Sequence, residues 1–382
     1  MDNFVFDHYV SGKDFVGRRN ECAALGNLLD KRENVAIYEA PKTGKRSLIR
    51  KVLSNMRVNE KKQFCVADLD LFNVRKTEDF LIKFGSAVIR PIMSTAEEYS
   101  GAVEKYLAGT HFVFDRERFA NSDEVLSLGW SYDENDITTL FSMPGMIARD
   151  RQQPYYVVIS NFQNILEDND YELVLKAMEK VFAADDKSEP NGAAYILSGS
   201  KVNAMKFIFE EKKYFFRQIE HLPLEPIDQR DYVEYIVKTF QPTGKVIERD
   251  MIISSCALFQ GQMWYINHYM YLADTLSRGY INEALLLQAL RMLIAVNEPR
   301  FIRMVDDLTG FQLSMVKAVL DGVKKFSSVD VVEKYGLNSS ANVLRLKEAL
   351  KKKEIISFDE NGEAYFLDHL FEYWLLQVYF AN

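Results

Sequence analysis

The residues Glu39-Ala40-Pro41-Lys42-Thr43-Gly44-Lys45-Arg46-Ser47 follow a short apolar run, VAIY, and lead into a helix-patterned stretch. A Gly-Lys pair at a strand-to-helix turn suits the seating of a phosphate anion. The glycine lets backbone N–H groups approach, the lysine brings a point charge, and the helix N-terminus adds its partial charge. The spacing matches G-x-x-x-x-G-K-[ST] at Gly44 and Lys45 and departs from it at two positions. Glu39 stands where the first glycine belongs, and Arg46 stands where the Mg²⁺-binding hydroxyl belongs. Pro41, Lys42, Thr43, Gly44 and Lys45 are therefore expected to bind nucleotide, with Arg46 replacing part of the metal's charge and Ser47 reaching the site. Glu39 brings negative charge to the phosphates unless it points away. A surface turn with a chance Gly-Lys pair is the plain alternative.

A second segment, YYVVIS followed by NFQNIL (155–166), departs in the same direction. Such a strand normally closes on two acids, one ordering Mg²⁺ and one polarising the attacking water. Here Ser160 and Asn161 take those places, and neither is a base at neutral pH. Loss of the hydroxyl and of both acids points to a site that binds ATP or ADP and hydrolyses it poorly or not at all. Asp68 or Asp70, at the end of a strand over 63–71, is the candidate for rescuing Mg²⁺. Elsewhere, His8, His111, His221, His268 and His369 show no metal-ligand spacing. Cys22, Cys65 and Cys256 form no CxxC pair, which fits a reducing compartment.

Periodicity supplies the elements that position these residues. Helical spacing over 20–32, 46–56, 77–93 (Thr77 as N-cap), 135–149 and 170–184 alternates with strands at 34–40, 63–71, 155–160 and 194–199. This predicts an α/β fold with a parallel sheet and helices on both faces, which together with the motif at 39–47 is expected to be a P-loop NTPase sheet. Apolar–polar alternation over 110–131 reads as an inserted β-hairpin, and EPNG (189–192) as a turn. After 224 the chain reads as wholly helical, until three helices and an ENG-turned hairpin (360–362) close a winged helix-turn-helix. The domains expected are 1–223 (insertion about 105–133), a helical lid over 224–305, and a winged helix over 306–382.

The chain has 382 residues, 48% hydrophobic and 27% charged, with a net charge of -8. That composition fits a globular protein of two or three domains and disfavours a dominant nucleic-acid role. MDNFVFDHYV lacks signal-peptide character, and no stretch approaches the roughly 20 apolar residues of a membrane helix. A cytoplasmic protein with no membrane partner is expected.

Several motifs together resemble the archaeal-type and related bacterial ATPases of the STAND/AAA+ group, over most of the chain. FVGRRNE (15–21) resembles the family's hhGRxxE box. ISNFQNIL keeps Phe162 and Gln163 of the IDEFQ strand. LSGSKVNAM (197–205) is similar to the sensor-1 strand end, FFRQIEHLPLEPI (215–227) to the GR…LxPF segment, and GQMWYI (261–266) to the GxP motif. YFLDHLFEYWLL (365–376) resembles the DPxFxxWL ending. Phe216, Met263 and His369 replace the family's glycine and two prolines. The resemblance implies that Phe15, Val16, Gly17 and Arg18 frame the adenine. It also implies that Ser198 or Ser200 faces the γ-phosphate, that Arg217 senses phosphate, and that nucleotide lies between core and lid.

The expected function is thus an ATP- or ADP-binding switch with weak or absent hydrolysis, acting on a protein partner. One alternative is a DNA-binding regulator using helix 339–353, which carries Arg345, Lys347, Lys351, Lys352 and Lys353. Another is a nucleotide-free scaffold partnering an intact ATPase.

Overall fold

The computed structural model describes residues 4–187, 189 and 191–381. The chain forms two compact units that interleave in sequence. One consists of Arg19–Glu39 and Leu48–Leu224. The other gathers the N-terminal stretch ending at Arg18, the loop Ala40–Ser47, and the chain from Glu225 onward.

The first unit contains the expected parallel sheet. Its elements run α1 (Arg19–Asp30), β1 (Asn34–Tyr38), α2 (Lys45–Val58, whose first turn belongs to the other unit), β2 (Cys65–Asp70), α3 (Thr77–Ile89) and α4 (Ala96–Tyr106). They continue with β3 (Phe112–Phe114), α5 (Arg116–Asn121), β4 (Leu126–Leu128), α6 (Glu134–Arg151), β5 (Tyr155–Ser160), α7 (Tyr171–Ala184), β6 (Ala193–Gly199), α8 (Val202–Lys206) and β7 (Ile219–His221). The strand order is β2-β5-β6-β1-β7, and every neighbouring pair is parallel. Every residue of β1, β5 and β6 is buried. A strand covered on both faces needs an unbroken apolar run, which VAIY, YYVVI and AYIL supply. The register places Asp70 opposite Ser160, and Ser160 opposite Ser198, at the carboxyl ends of three adjacent strands.

Four readings change. The insertion is an antiparallel pair, with Phe112 opposite Leu128, but its connection holds helix α5, started by the Asp115 side chain accepting from the Arg118 N–H. Thr77 is not an N-cap: it is the first helical residue, and its N–H donates to Asp168 at 2.6 Å. Helix α3 gives way at Ile89 to a 3₁₀ turn containing Pro91, which lacks the N–H to continue the helix. The region after 224 is not wholly helical, because Val246–Ile247 pairs with Tyr280–Ile281. Of the turn expected at 189–192, position 190 lies outside the described residues.

The second unit has its own apolar core. Phe4, fully buried, packs edge-on against Tyr235 and Phe240 at 6.0 and 5.0 Å. It is built from α9 (Gln229–Phe240), β8 (Val246–Ile247), α10 (Arg249–Cys256), α11 (Met263–Leu276), β9 (Tyr280–Ile281) and α12 (Glu283–Asp306). Three helices follow, α13 (Gly310–Leu320), α14 (Val329–Tyr335) and α15 (Ser340–Lys352). An antiparallel hairpin, β10 (Ile356–Phe358) with β11 (Ala364–Phe366), leads to α16 (His369–Trp374).

Gly261, just before α11, has φ +74, and a Cβ there would lie 2.6 Å from both the N and O of Ile227. Left-handed backbone and backbone crowding together exclude any side chain. Gly261→Ala is expected to cost about 2 kcal/mol, read as a shift in denaturant midpoint at constant slope. A loss below about 0.5 kcal/mol would remove this reason for the glycine.

Candidate functional site

The loop Ala40–Ser47 packs within the second unit, and its carbonyls are held by side chains. Gly44 has φ +91, and a Cβ there would meet nothing within 4 Å, so its outer side is open. Lys45, which begins α2, is 8% exposed. Its ammonium donates to the Ala40 carbonyl at 2.8 Å and to Thr43 Oγ1 at 3.3 Å, while Thr43 Oγ1 itself donates to the Ala40 carbonyl at 3.0 Å. Pro41's carbonyl accepts from Gln262 Nε2 at 2.9 Å. Lys42 has φ 68, and its Nζ lies 3.2 Å from the centre of the Trp264 ring.

The Phe15–Arg18 segment meets this loop through Arg18, whose guanidinium donates to the carbonyls of Thr43, at 3.3 Å, and of Glu225. Gly17, at φ +63, has room for no side chain beyond the contact with Asp231 Oδ2, which a Cβ would meet at 3.1 Å. Phe15 and Val16 are half-buried. Two loop positions take a different form from that expected. Ser47 is buried, and its Oγ accepts the Val10 N–H at 3.1 Å, so this hydroxyl is engaged with the N-terminal segment. Glu39 does not have a positive φ, so it stands at this position without left-handed backbone strain.

In the first unit, a polar row closes the carboxyl ends of β2, β5 and β6. Ser160 and Ser198 face each other with Oγ atoms 3.5 Å apart. Asn161 Nδ2 donates to Asp70 Oδ1 at 2.7 Å, and the Phe72 N–H donates to the same oxygen at 3.0 Å. Gln163 links the row, donating to Asn161 Oδ1 at 3.4 Å and accepting the Ser200 N–H at 3.3 Å. Asp68 instead pairs with Arg50 at 3.1 Å. The strand that should end in two acids therefore ends in neutral groups, with one carboxylate supplied from β2.

Arg217 is not part of this row. It precedes β7, whose Ile219 pairs with Asn34 at the start of β1, so it lies at the amino ends of the strands. There it is exposed, with φ 59 and its guanidinium 5.1 Å from the Phe216 ring centre. His111, Asp133 and Asp136 are the one metal-capable group among the described residues. Asp136 already accepts the N–H groups of His111 and Asp133, each at 2.7 Å, and the His111 ring at 2.8 Å, as the N3 residue of the capping box whose N-cap is Asp133.

The basic residues near the C-terminus are also partly committed. Lys347 Nζ lies 5.1 and 4.9 Å from the ring centres of Phe326 and Phe358, and Lys351 pairs with Glu348 at 3.5 Å. The turn between β10 and β11 carries Asp359, Glu360 and Glu363. Acidic groups there oppose a phosphate backbone.

Gln262, Trp264 and Asn164 were not singled out from sequence as site residues. The Gln262–Pro41 contact spans 221 positions, and no local pattern signals it. Asn164, in the turn after β5, donates to the Leu71 carbonyl at 2.7 Å and fixes that turn on β2's end.

The strand order, the loop after β1 and the polar strand ends define a P-loop NTPase fold of the AAA+ type. Solved structures share it over nearly the whole chain. A Walker-type ATPase of Pyrococcus abyssi aligns at TM-score 0.66 and 16% identity, covering 98% of this chain and 99% of that one. The Aeropyrum pernix ORC2 protein aligns in its ADP form at TM-score 0.56 and 13% identity, covering 98% and 95%. In its ADPNP-ADP complexes the values are 0.52 and 14%, covering 97% and 98%. No family model and no curated protein matches the chain. Among the described residues, no helix is long and apolar enough to cross a membrane.

Proposed function

We propose that this chain is a nucleotide-binding switch of the STAND/AAA+ type, which holds ATP or ADP and hydrolyses it weakly or not at all. The observation that carries the reading is the neutral end of β5, in a chain that also has a Gly-Lys turn between β1 and α2. Gly44 and Lys45 keep the backbone and charge of an anion seat. Ser160 and Asn161 occupy the end of β5, where a general base is needed. Lys45 donates to Ala40 and Thr43, and phosphate oxygens would replace these neutral acceptors with charged ones.

Mg²⁺, which the fold family implies, fits these residues poorly. Arg46 sits at the hydroxyl position, Ser47 accepts from Val10, Asp68 is paired with Arg50, and Asp70 accepts from Asn161 and Phe72. No step is assigned to a metal. Isothermal titration is expected to give ATP and ADP affinities that change less than about threefold on adding Mg²⁺ or EDTA, since no dedicated ligand set is preserved. Magnesium-dependent tight binding with steady turnover would defeat the switch reading, and absence of any binding would favour the nucleotide-free scaffold.

In this reading residues 1–223 form the nucleotide domain, 224–305 the lid and 306–382 a winged helix. The acidic hairpin turn and the exposed Leu344, 65% accessible on α15, favour a protein partner over DNA for that last domain. A gel-shift assay across salt concentrations is expected to show no salt-dependent DNA binding.

A further inference from the structure

The loop carries a second ammonium, that of Lys42, in an unusual setting. It sits on the face of Trp264 with Nζ 3.2 Å from the ring centre, and the neighbouring Pro41 carbonyl accepts from Gln262. Residues 262 and 264 thus grip adjacent loop positions. Lys42 is held at φ 68, a left-handed conformation that non-glycine residues adopt only when their surroundings impose it. The indole is fixed in turn, edge-on to Tyr265 at 5.0 Å and to His268 at 5.5 Å, with His268 stacked on Phe6 at 4.2 Å. Arg300, Asp368 and His268 are the charged or titratable groups around the ammonium. Loss of water and then the Arg300 charge pull the Lys42 pKa down to about 8, against the opposing Asp368. His268 stays neutral, its pKa lowered to about 4 by burial and by Lys42.

An ammonium on an aromatic face is attracted by the ring's quadrupole alone. A polyphosphate offers it full negative charge and direct hydrogen bonds. A ligand shifts a conformation only through contacts that differ between its states, and a cation that must choose between two seats is such a contact. We propose that Lys42 is a phosphate ligand parked on Trp264: its ammonium sits on the indole and moves to the phosphates when nucleotide binds, releasing the loop from the 262–264 segment. This rests on the nucleotide-binding reading above and adds the residue through which occupancy is passed on.

Tryptophan emission tests it, with Trp264→Phe subtracting the signals of Trp130 and Trp374. In nucleotide-free protein, titration from about pH 6 to 9.5 is expected to show a Trp264 transition near pH 8, as the ammonium loses its proton, and none in Lys42→Met. At pH 7, ATP or ADP is expected to change Trp264 emission. Lys42→Met should bind about tenfold more weakly than wild type, the loss of one charged phosphate contact. Trp264→Ala, which removes the parking seat, should bind several-fold more tightly while Lys45 remains required. If nucleotide binds in a Lys45-dependent way but Lys42→Met matches wild type and Trp264 emission is unmoved, this inference fails alone. If wild type binds no nucleotide, it falls together with the proposed function. Lys42 is no part of either apolar core, so Lys42→Met leaves the core untouched and decides the matter even if Trp264→Ala folds poorly.

Discussion

Lys45→Ala is expected to weaken ATP and ADP binding by about 30- to 150-fold, the equivalent of removing a charged hydrogen-bond donor worth about 2–3 kcal/mol. The side chain is buried and turned into its own loop, where it holds the Ala40 carbonyl and Thr43 hydroxyl. Removing it takes away the ammonium and leaves the Ala40 carbonyl still accepting from the Thr43 hydroxyl. The nucleotide-free variant should therefore lose only about 1 kcal/mol of stability. The thermal upshift that nucleotide gives wild type should nearly vanish, since ligand stabilisation follows occupancy. Titration calorimetry and a thermal melt with and without ADP check both halves. Unchanged affinity would mean that the loop seats nothing.

Asp368→Ala is expected to lower the stability of the helical unit by about 3 kcal/mol, or about 6–12 °C in Tm. Four groups converge on that carboxylate. Tyr265 Oη donates to its two oxygens at 2.8 and 2.9 Å, Arg300 pairs with it at 2.8 Å, and the N–H groups of Leu370 and Phe371 donate at 3.1 Å to start α16. The helix cap is worth about 1 kcal/mol. Tyr265, 2% exposed, would be left with its hydroxyl bonded to Arg300 alone, which adds about 1–2 kcal/mol. The ion pair adds little, because the Arg300 side chain is 39% exposed and screened by water. Asp368→Asn keeps an acceptor for the cap and the hydroxyl, so it should lose less than half as much. A calorimetric loss under about 1 kcal/mol for the alanine variant would remove this carboxylate as a keystone of the fold.

What the sequence made legible was what depends on neighbours along the chain. The fully buried β1, β5 and β6 read as strands because both faces demand apolar side chains. The strand, turn and helix around Gly44 and Lys45 were legible because they are local. The edge strand β7 was not, since Ile-Glu-His is too short and too polar to stand out from a loop. Helix α5 was hidden between two alternating runs. The donor at Asn161 and its acceptor Asp70 lie 91 positions apart, as do Thr77 and the Asp168 that receives its N–H. The facing of Ser160 and Ser198 follows from strand order, which pattern alone does not set. Whether Glu39 strains the loop depended on a backbone angle that composition does not reveal.

The interleaving of the two units has a consequence for how the protein is made. Residues 19–224 leave the ribosome with every strand of the main sheet, while Gln262 and Trp264 have yet to be synthesised. Throughout that interval the loop at 40–47 lacks its contacts with Gln262 and Trp264, and Phe4 lacks Tyr235 and Phe240. Separating the protein at 224 would therefore take two distant stretches of the amino-terminal portion, residues 4–18 and 40–47, away from the unit they pack in.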